Sequence, residues 1–402
     1  MYADKDYIIS VRRELHEYPE IGFELPKTVA LVKRELDKLG IEYTEAYGKS
    51  SVVGIINPDA KGFTIGIRAD MDALLIDEKT ELDFKSKIQG HMHACGHDAH
   101  TAMLLGTAKA LKAMESELTA RVMLVFQPSE EGIRSGAAEL VAGGLMDEID
   151  VIIGMHVENW LESGEIGVCA GSSMASSRSF KLSFSGRSAH ATLPHTGRDA
   201  LAAAVRVYNN IQYMLAREIN PFAKYVCSIG KLEGGTSQNI IADKAYMLGT
   251  IRTFDMQLDE FLIQRISEIA KNTAAETGVE ASVETSLKAS VVYNNPYLSS
   301  LVLKSAEEVG AVTPKMPEKL SSEDFSQYLA KKPGVFFRLG TKNAKKGCVT
   351  LPHNSDFMID EDAFVLGSDA CVRFVLDNMS GIDMKKVYES DERGSDFYKR
   401  AN

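Results

Sequence analysis

Arg121-Val-Met-Leu-Val-Phe-Gln127 is apolar along its whole middle and is stopped by Pro128, after which the chain presents Glu130 and Glu131. A strand that is apolar at every position, rather than at every second one, has to be covered on both faces, which is the situation of a parallel sheet between helices. Two further segments repeat the pattern. Phe63-Thr-Ile-Gly-Ile-Arg-Ala69 runs directly into Asp70-Met-Asp72, and Asp150-Val-Ile-Ile-Gly-Met155 runs into His156. Ligands of such sheets bind beyond the carboxyl ends of the strands. Asp70, Asp72, Glu130, Glu131 and His156 are therefore expected at one place.

Helical segments separate these strands. From Asp6 to Tyr18, Ile8, Ile9, Val11, Leu15 and His16 track one side until Pro19 ends the helix, and His16 reads as a helix-end histidine. A second helix runs from Pro26, suited to a first turn, to Leu39, with Gly40 as its stop. Ser51 to Ile56 reads as another strand. The apolar pattern resumes late, with a helix at Leu298 to Val309 and a strand at Gly334-Val-Phe-Phe-Arg-Leu339. The tail after Gly381 is polar and charged, either a terminal helix or a frayed end.

The densest chemistry lies in His91-Met-His-Ala-Cys-Gly-His-Asp-Ala-His100, which holds four of the nine histidines and one of the five cysteines. A bound metal ion is the economical reason for so much imidazole and thiol in ten residues. The good helix formers after Thr101 predict a helix starting near Gly96, with Cys95 and His97 at its first turn, where the helix dipole favours a thiolate. His100, a turn later, reads as a capping or packing residue. His91 and His93 are expected to be solvated or to play a supporting role.

The middle of the chain has a different texture. Phe180-Lys-Leu-Ser-Phe-Ser185 alternates like a half-exposed strand, and a helical stripe follows from Arg198 to Arg217. Strands at Tyr225 to Leu232 and Ala242 to Phe254, a helix at Leu258 to Thr277 and a strand at Val279 to Ser286 complete the order of a ferredoxin-like domain. The fold class expected is thus α/β: a mostly parallel-sheet domain, residues 1–178 and 295–402, carrying an inserted ferredoxin-like α+β domain, residues 179–294.

With 402 residues, 45% of them hydrophobic, the chain is long enough for two substantial cores. No apolar run is long enough for a transmembrane helix and the first residues lack a signal-peptide pattern, so a cytoplasmic protein is expected, without a membrane partner. Five scattered cysteines do not suggest a disulfide framework. A net charge of −11 argues against nucleic acid as a partner.

The set Arg68-Ala-Asp-Met-Asp-Ala-Leu74, His93-Ala-Cys-Gly-His-Asp-Ala-His100, Phe126-Gln-Pro-Ser-Glu-Glu131, Gly154-Met-His156, Ser188-Ala-His190 and Pro352-His353-Asn354 resembles the M20 metallopeptidase and aminoacylase family. It is most similar to the amidohydrolase branch with N-acyl-amino-acid, hippurate, aminobenzoyl-glutamate and auxin-conjugate hydrolases. The resemblance extends in order from Ile8 to Leu376, and by it residues 1–178 and 295–402 are expected to be the catalytic domain and residues 179–294 a lid or dimerisation domain. It implies two divalent metal ions per chain, zinc or manganese, with Cys95 as the bridging ligand and His97, Glu131, His156 and His353 completing the set. Glu130 corresponds to the general base and Asp72 to a supporting carboxylate, with Asp70 part of the strand-end scaffold. His190 resembles the histidine that reaches a partner subunit's active site, implying a homodimer, while Asn239 and Arg252 fall in segments that grip the substrate carboxylate. His195 is read as a loop residue. The flanks depart in places: Leu74-Leu75 stands where relatives commonly have Leu-Pro, Ser129 where they have Ala, and Pro352 precedes His353.

The implied chemistry is coherent. Two ions about 3.5 to 4 Å apart share and acidify a water while polarising a carbonyl, and a carboxylate shuttles the proton to the leaving amine. The expected function is a dinuclear-metal amidohydrolase that cleaves N-acyl amino acids or similar small conjugates through a metal-activated water. A dipeptidase or carboxypeptidase with the same centre, a metal-loaded binding protein without catalysis, and a lone structural zinc in 91–100 are the other readings of the same residues.

Overall fold

Local chemistry sets the first helices. In the computed structural model, which describes residues 1–394 and 397–400, α1 (Lys5–Glu17) starts at Asp4, whose carboxylate accepts the Tyr7 amide. Helix α2 (Pro26–Leu39) begins with a proline that has no N–H to leave unpaired, and Gly40 ends it at φ 64°, where a side chain would be strained.

Seven strands form one sheet. They include β1 (Glu42–Thr44), β2 (Val52–Ile56), β3 (Thr64–Asp70), β4 (Arg121–Gln127), β5 (Val151–Glu162), the short β6 (Ile166–Gly167) and the Gly334–Lys342 strand. Their order is β1, β2, β4, β3, β5, Gly334–Lys342, β6. The four central strands are parallel and the flanks antiparallel. Every residue of β3 is buried, as expected of a strand with helices on both faces. Ile65, Ile67, Val122, Leu124, Phe126, Val151 and Ile153 contribute to the core together with α1, α2 and α3 (His97–Ala113).

The sequence places His156 after a strand that ends at Met155; in the structure β5 continues to Glu162. Its pairing with β3 stops at Gly154, while its pairing with Gly334–Lys342 carries on through His156, opposite Arg338. His156 sits where one neighbour has run out and the other has not, so its side chain still faces the carboxyl edge of β3.

The chain forms two compact units, one of Met1–Ser173, Val292–Glu318 and Glu323–Asn402, the other of Met174–Val291 with Lys319–Ser322. The second unit is an antiparallel sheet with Tyr225–Gly234, Lys244–Thr253, Ser177–Ser185 and Glu280–Ala289 in that spatial order. Helices Ala200–Arg217 and Met256–Glu276 cover one face, around Phe180, Leu182, Phe184, Val207, Ile211, Met247 and Ile266. This is the ferredoxin-like arrangement. In the tail, Met384–Glu389 and Phe397–Arg400 are helical; the remainder of the expected tail, residues 395–396 and 401–402, lies outside the described residues. Among the described residues no helix is long and apolar enough to cross a membrane, and all five cysteines are free thiols.

Candidate metal centre

The loops at the carboxyl edge of the parallel strands are held to one another before any side chain meets a ligand. Asp72, two residues past β3, accepts the Glu130 amide on Oδ1 at 2.9 Å and the Glu131 amide on Oδ2 at 3.1 Å. The turn before that pair has Ser129 in the left-handed region, φ 55°, fixed by its hydroxyl donating to the Arg134 carbonyl at 2.7 Å. His353 is also left-handed, φ 66°, and its amide donates to the Ala94 carbonyl at 2.8 Å, tying this distant loop to the residue before Cys95. Such conformations in non-glycine residues persist where the surroundings dictate them. Gly96, φ 83°, caps α3; a Cβ there would lie 2.4 Å from Val157 Cγ2.

Cys95, His97 and His156 offer ligand atoms within 4.8 Å of one another, and Cys95, Glu131 and His353 do the same. Cys95 belongs to both groups. Its Sγ lies 3.4 Å from His156 Nε2, and His353 Nε2 lies 2.9 Å from Glu131 Oε1. His156 Nδ1 donates to its neighbour's carbonyl at 2.5 Å, which leaves the Nε2 lone pair for a cation. His97 is buried, and neither ring nitrogen has a hydrogen-bond partner, although Asp72 and Asp70 oxygens stand 3.5 and 3.7 Å away. A buried bare imidazole among carboxylates and a thiol is a donor set that fits a divalent metal.

His100 lies in another potential group with Asp70 and His97, but its own nitrogens are both used. Nδ1 donates to Asp70 Oδ1 at 2.6 Å and Nε2 accepts the Val157 amide at 2.9 Å. It is a strut between β3 and β5. Asp70 also meets Arg68 at 2.7 Å, and Arg68 extends to Glu323 at 2.9 Å, Asp324 at 3.0 Å and Gln127 at 2.8 Å. Sequence reasoning assigned no role to Glu323 or Asp324, since nothing in Ser321-Ser-Glu-Asp-Phe325 marks a partner 255 residues away. Glu130, Glu323 and Asp324 nonetheless form a further acidic group.

Charge balance points the same way. Asp70, Asp72, Glu130, Glu323 and Asp324 are buried, and so are two guanidiniums near them, Arg68, which pairs with Asp70, Glu323 and Asp324, and Arg338. Burial, then the Glu323 and Glu131 carboxylates, hold the Glu130 acid well above the usual carboxylate range. Burial raises Glu323 to about 7 despite Arg68. Burial likewise raises the Cys95 thiol, with Glu131 adding to it. Cys95 lies just before the capping Gly96, outside the first turn of α3 in which the sequence placed it. Burial opposes a charge on Glu131, but His353 and His97 outweigh it and the pKa falls. Burial, assisted by His100 and Arg338, keeps His156 neutral, the form that ligates. Dications among these groups would supply the positive charge that the cluster lacks.

The five expected ligands thus converge, with Glu130 beside Glu131 and His97. His93 is not solvated: it is 1% exposed with both ring nitrogens unpartnered. His190, Asn239 and Arg252 lie in the second unit. His190 Nδ1 is 2.8 Å from Thr192 Oγ1, Asn239 Oδ1 accepts from Ser237 at 2.8 Å, and Arg252 donates to Ser322 Oγ at 2.8 Å.

Residues 66–377 match the model of peptidase family M20/M25/M40. Thermostable carboxypeptidase 1 of Saccharolobus solfataricus is 38% identical over 367 residues, 90% of this chain and 93% of its own length. An N-acetylcysteine deacetylase of Bacillus subtilis is 35% identical over 370 residues, 91% of this chain and 96% of its own. A solved Bacillus subtilis protein, described as a dinuclear metal binding peptidase from the M20 family, superposes with a TM-score of 0.82 at 32% identity, covering 94% of this chain and 99% of that one. The chain belongs to peptidase family M20/M25/M40, and with that family it is a metal-dependent hydrolase.

Proposed function

We propose that the protein is a dinuclear-metal amidohydrolase that cleaves the amide bond of N-acyl amino acids or similar small conjugates. The observation that carries this reading is that Cys95 is shared by two ligand groups, Cys95/His97/His156 and Cys95/Glu131/His353. These residues would hold two divalent cations, zinc or manganese given a thiol, imidazoles and a carboxylate. The cations would acidify a water and polarise the scissile carbonyl.

The protein's own groups do the rest. Glu130, its amide pinned by Asp72, takes the water's proton and passes it to the leaving amine. Glu131, the next residue, points its carboxylate to His353, so adjacent side chains divide ligation from proton transfer. His100, through Asp70 and the Val157 amide, keeps β3 and β5 in register beside His156. His190 would donate to the developing oxyanion from a partner subunit of a homodimer, and Asn239 and Arg252 would hold the substrate's carboxylate. In this reading the first unit is the catalytic domain and the second the lid and dimerisation domain. The free thiols support a cytoplasmic setting.

Metal-reconstituted protein assayed against N-acetyl amino acids, hippurate and dipeptides tests the proposal; turnover of the acyl amides is expected. A second reading, a carboxypeptidase with the same centre, draws on the 38% identity to the archaeal carboxypeptidase. Turnover of peptides with none of the acyl amides would establish it instead.

A further inference from the structure

Four arginines are buried: Arg12, Arg68, Arg178 and Arg338. Arg12 pairs with Asp98 at 2.8 Å, Arg68 with Asp70 at 2.7 Å and Arg178 with Asp259 at 2.6 Å. Arg338 is only 5% exposed, yet among the described residues its guanidinium donates no hydrogen bond and makes no ion pair. Its one close partner is the Phe336 ring, whose centroid lies 5.1 Å from Cζ. The Glu158 and Glu323 carboxylates and the Cys95 sulphur act on its charge electrostatically, against the cost of burial. A guanidinium so little exposed and without a protein acceptor presents a planar fork that matches a carboxylate.

Its place is as informative as its lack of partners. Arg338 is in register with His156 across the parallel pair, so both side chains leave the same face of the sheet. Phe336, two residues earlier and on that face, lies 6.3 Å from the His156 ring. The free fork therefore lies next to a proposed ligand of the metal pair.

We propose that Arg338 is a specificity-determining residue that grips a substrate carboxylate as a bidentate pair beside the scissile amide. This rests on the N-acyl amino acid reading above. The carboxylate is either that of the amino acid or one at the far end of the acyl group, and three substrates separate the sources. N-acetyl-L-methionine carries only the first, N-succinyl-L-methioninamide only the second, and N-acetyl-L-methioninamide neither.

Arg338→Met is expected to lower kcat/KM about 10- to 100-fold on the substrate whose carboxylate Arg338 holds, the range of a charge-assisted hydrogen-bond pair. On the neutral amide it should change less than about threefold. Arg338→Lys, which keeps the charge without the fork, should fall between. In metal-loaded Glu130→Gln protein, titration calorimetry should show that Arg338→Met weakens binding of that same substrate by a similar factor. Equal losses on all three substrates, or undiminished binding, would overturn the proposal and leave Arg338 a packing residue for His156. If the wild type hydrolyses none of the three, the N-acyl reading fails, and the calorimetric comparison alone decides Arg338.

Discussion

Asp72 offers a sharp test of how the Glu pair is held. Its two oxygens accept the amides of Glu130 and Glu131 at 2.9 and 3.1 Å, and the residue is 1% exposed. Asp72→Ala strands one buried and one partly buried N–H group, the first at about 1 to 3 kcal/mol and the second at less, so about 1 to 4 kcal/mol favours a rearranged turn, less whatever an admitted water recovers. The left-handed Ser129 just before the pair has its own strain to release in the same direction. A shift of Glu130 by about 1 Å costs on the order of 100-fold in rate. We therefore expect kcat to drop about 100-fold for Asp72→Ala and less for Asp72→Asn, which retains one acceptor, with KM little changed. Because Asp72 acts through Glu130, adding Asp72→Ala to Glu130→Gln should cost almost nothing more. The assay is steady-state hydrolysis of an N-acetyl amino acid by protein of measured metal content. A kcat within threefold of wild type, or losses that multiply fully in the double variant, would refute the reasoning.

Glu130→Gln should abolish turnover, by about 100-fold or more, while mass spectrometry finds metal content unchanged; normal turnover would assign the proton transfer elsewhere. Gly96→Ala forces a left-handed alanine and a methyl group 2.4 Å from Val157 Cγ2, at about 1 to 2 kcal/mol for the backbone and about 1 to 3 for overpacking. It should unfold at lower denaturant and bind metal more weakly. His16 has a pH signature. Burial and Arg12 push its pKa down, but Asp98 at 2.7 Å and Glu78 at 3.2 Å outweigh them, and the folded value is raised. Its stabilisation is then complete below the unfolded pKa of about 6.5 and is lost as pH rises through the folded pKa. The difference in urea midpoint between wild type and His16→Gln should shrink as pH rises above about 6.5; a constant difference would mean that His16 does not titrate.

The strands were legible because burial on both faces writes an unbroken apolar run, as in β4, whose ends match the expectation residue for residue. Pro26 and Gly40 likewise marked α2 at both ends. The end of β5 was not, because His156-Val-Glu-Asn-Trp is polar enough to look like a loop and is kept extended only by pairing with Gly334–Lys342. The ligand set could be proposed from short motifs, yet its supports could not. Arg68 reaches Glu323 and Asp324, and His100 reaches the Val157 amide, through contacts with no local periodicity. The burial of His93 has the same origin: its segment reads as loop, and only the packing of α1 with its neighbours closes over it. Arg338 is the reverse case. The strand Gly334–Leu339 was legible, but only the register with His156 reveals where its one charged residue sits.

The sharing of Cys95 between two ligand groups is the claim on which the rest depends. Metal content per chain, measured by mass spectrometry after reconstitution and desalting, tests it directly on wild type and Cys95→Ala. Two ions in the wild type, with loss of both or retention of a single weakly held one in the variant, is the expected result. Two tightly held ions in the variant, or only one in the wild type, would contradict it.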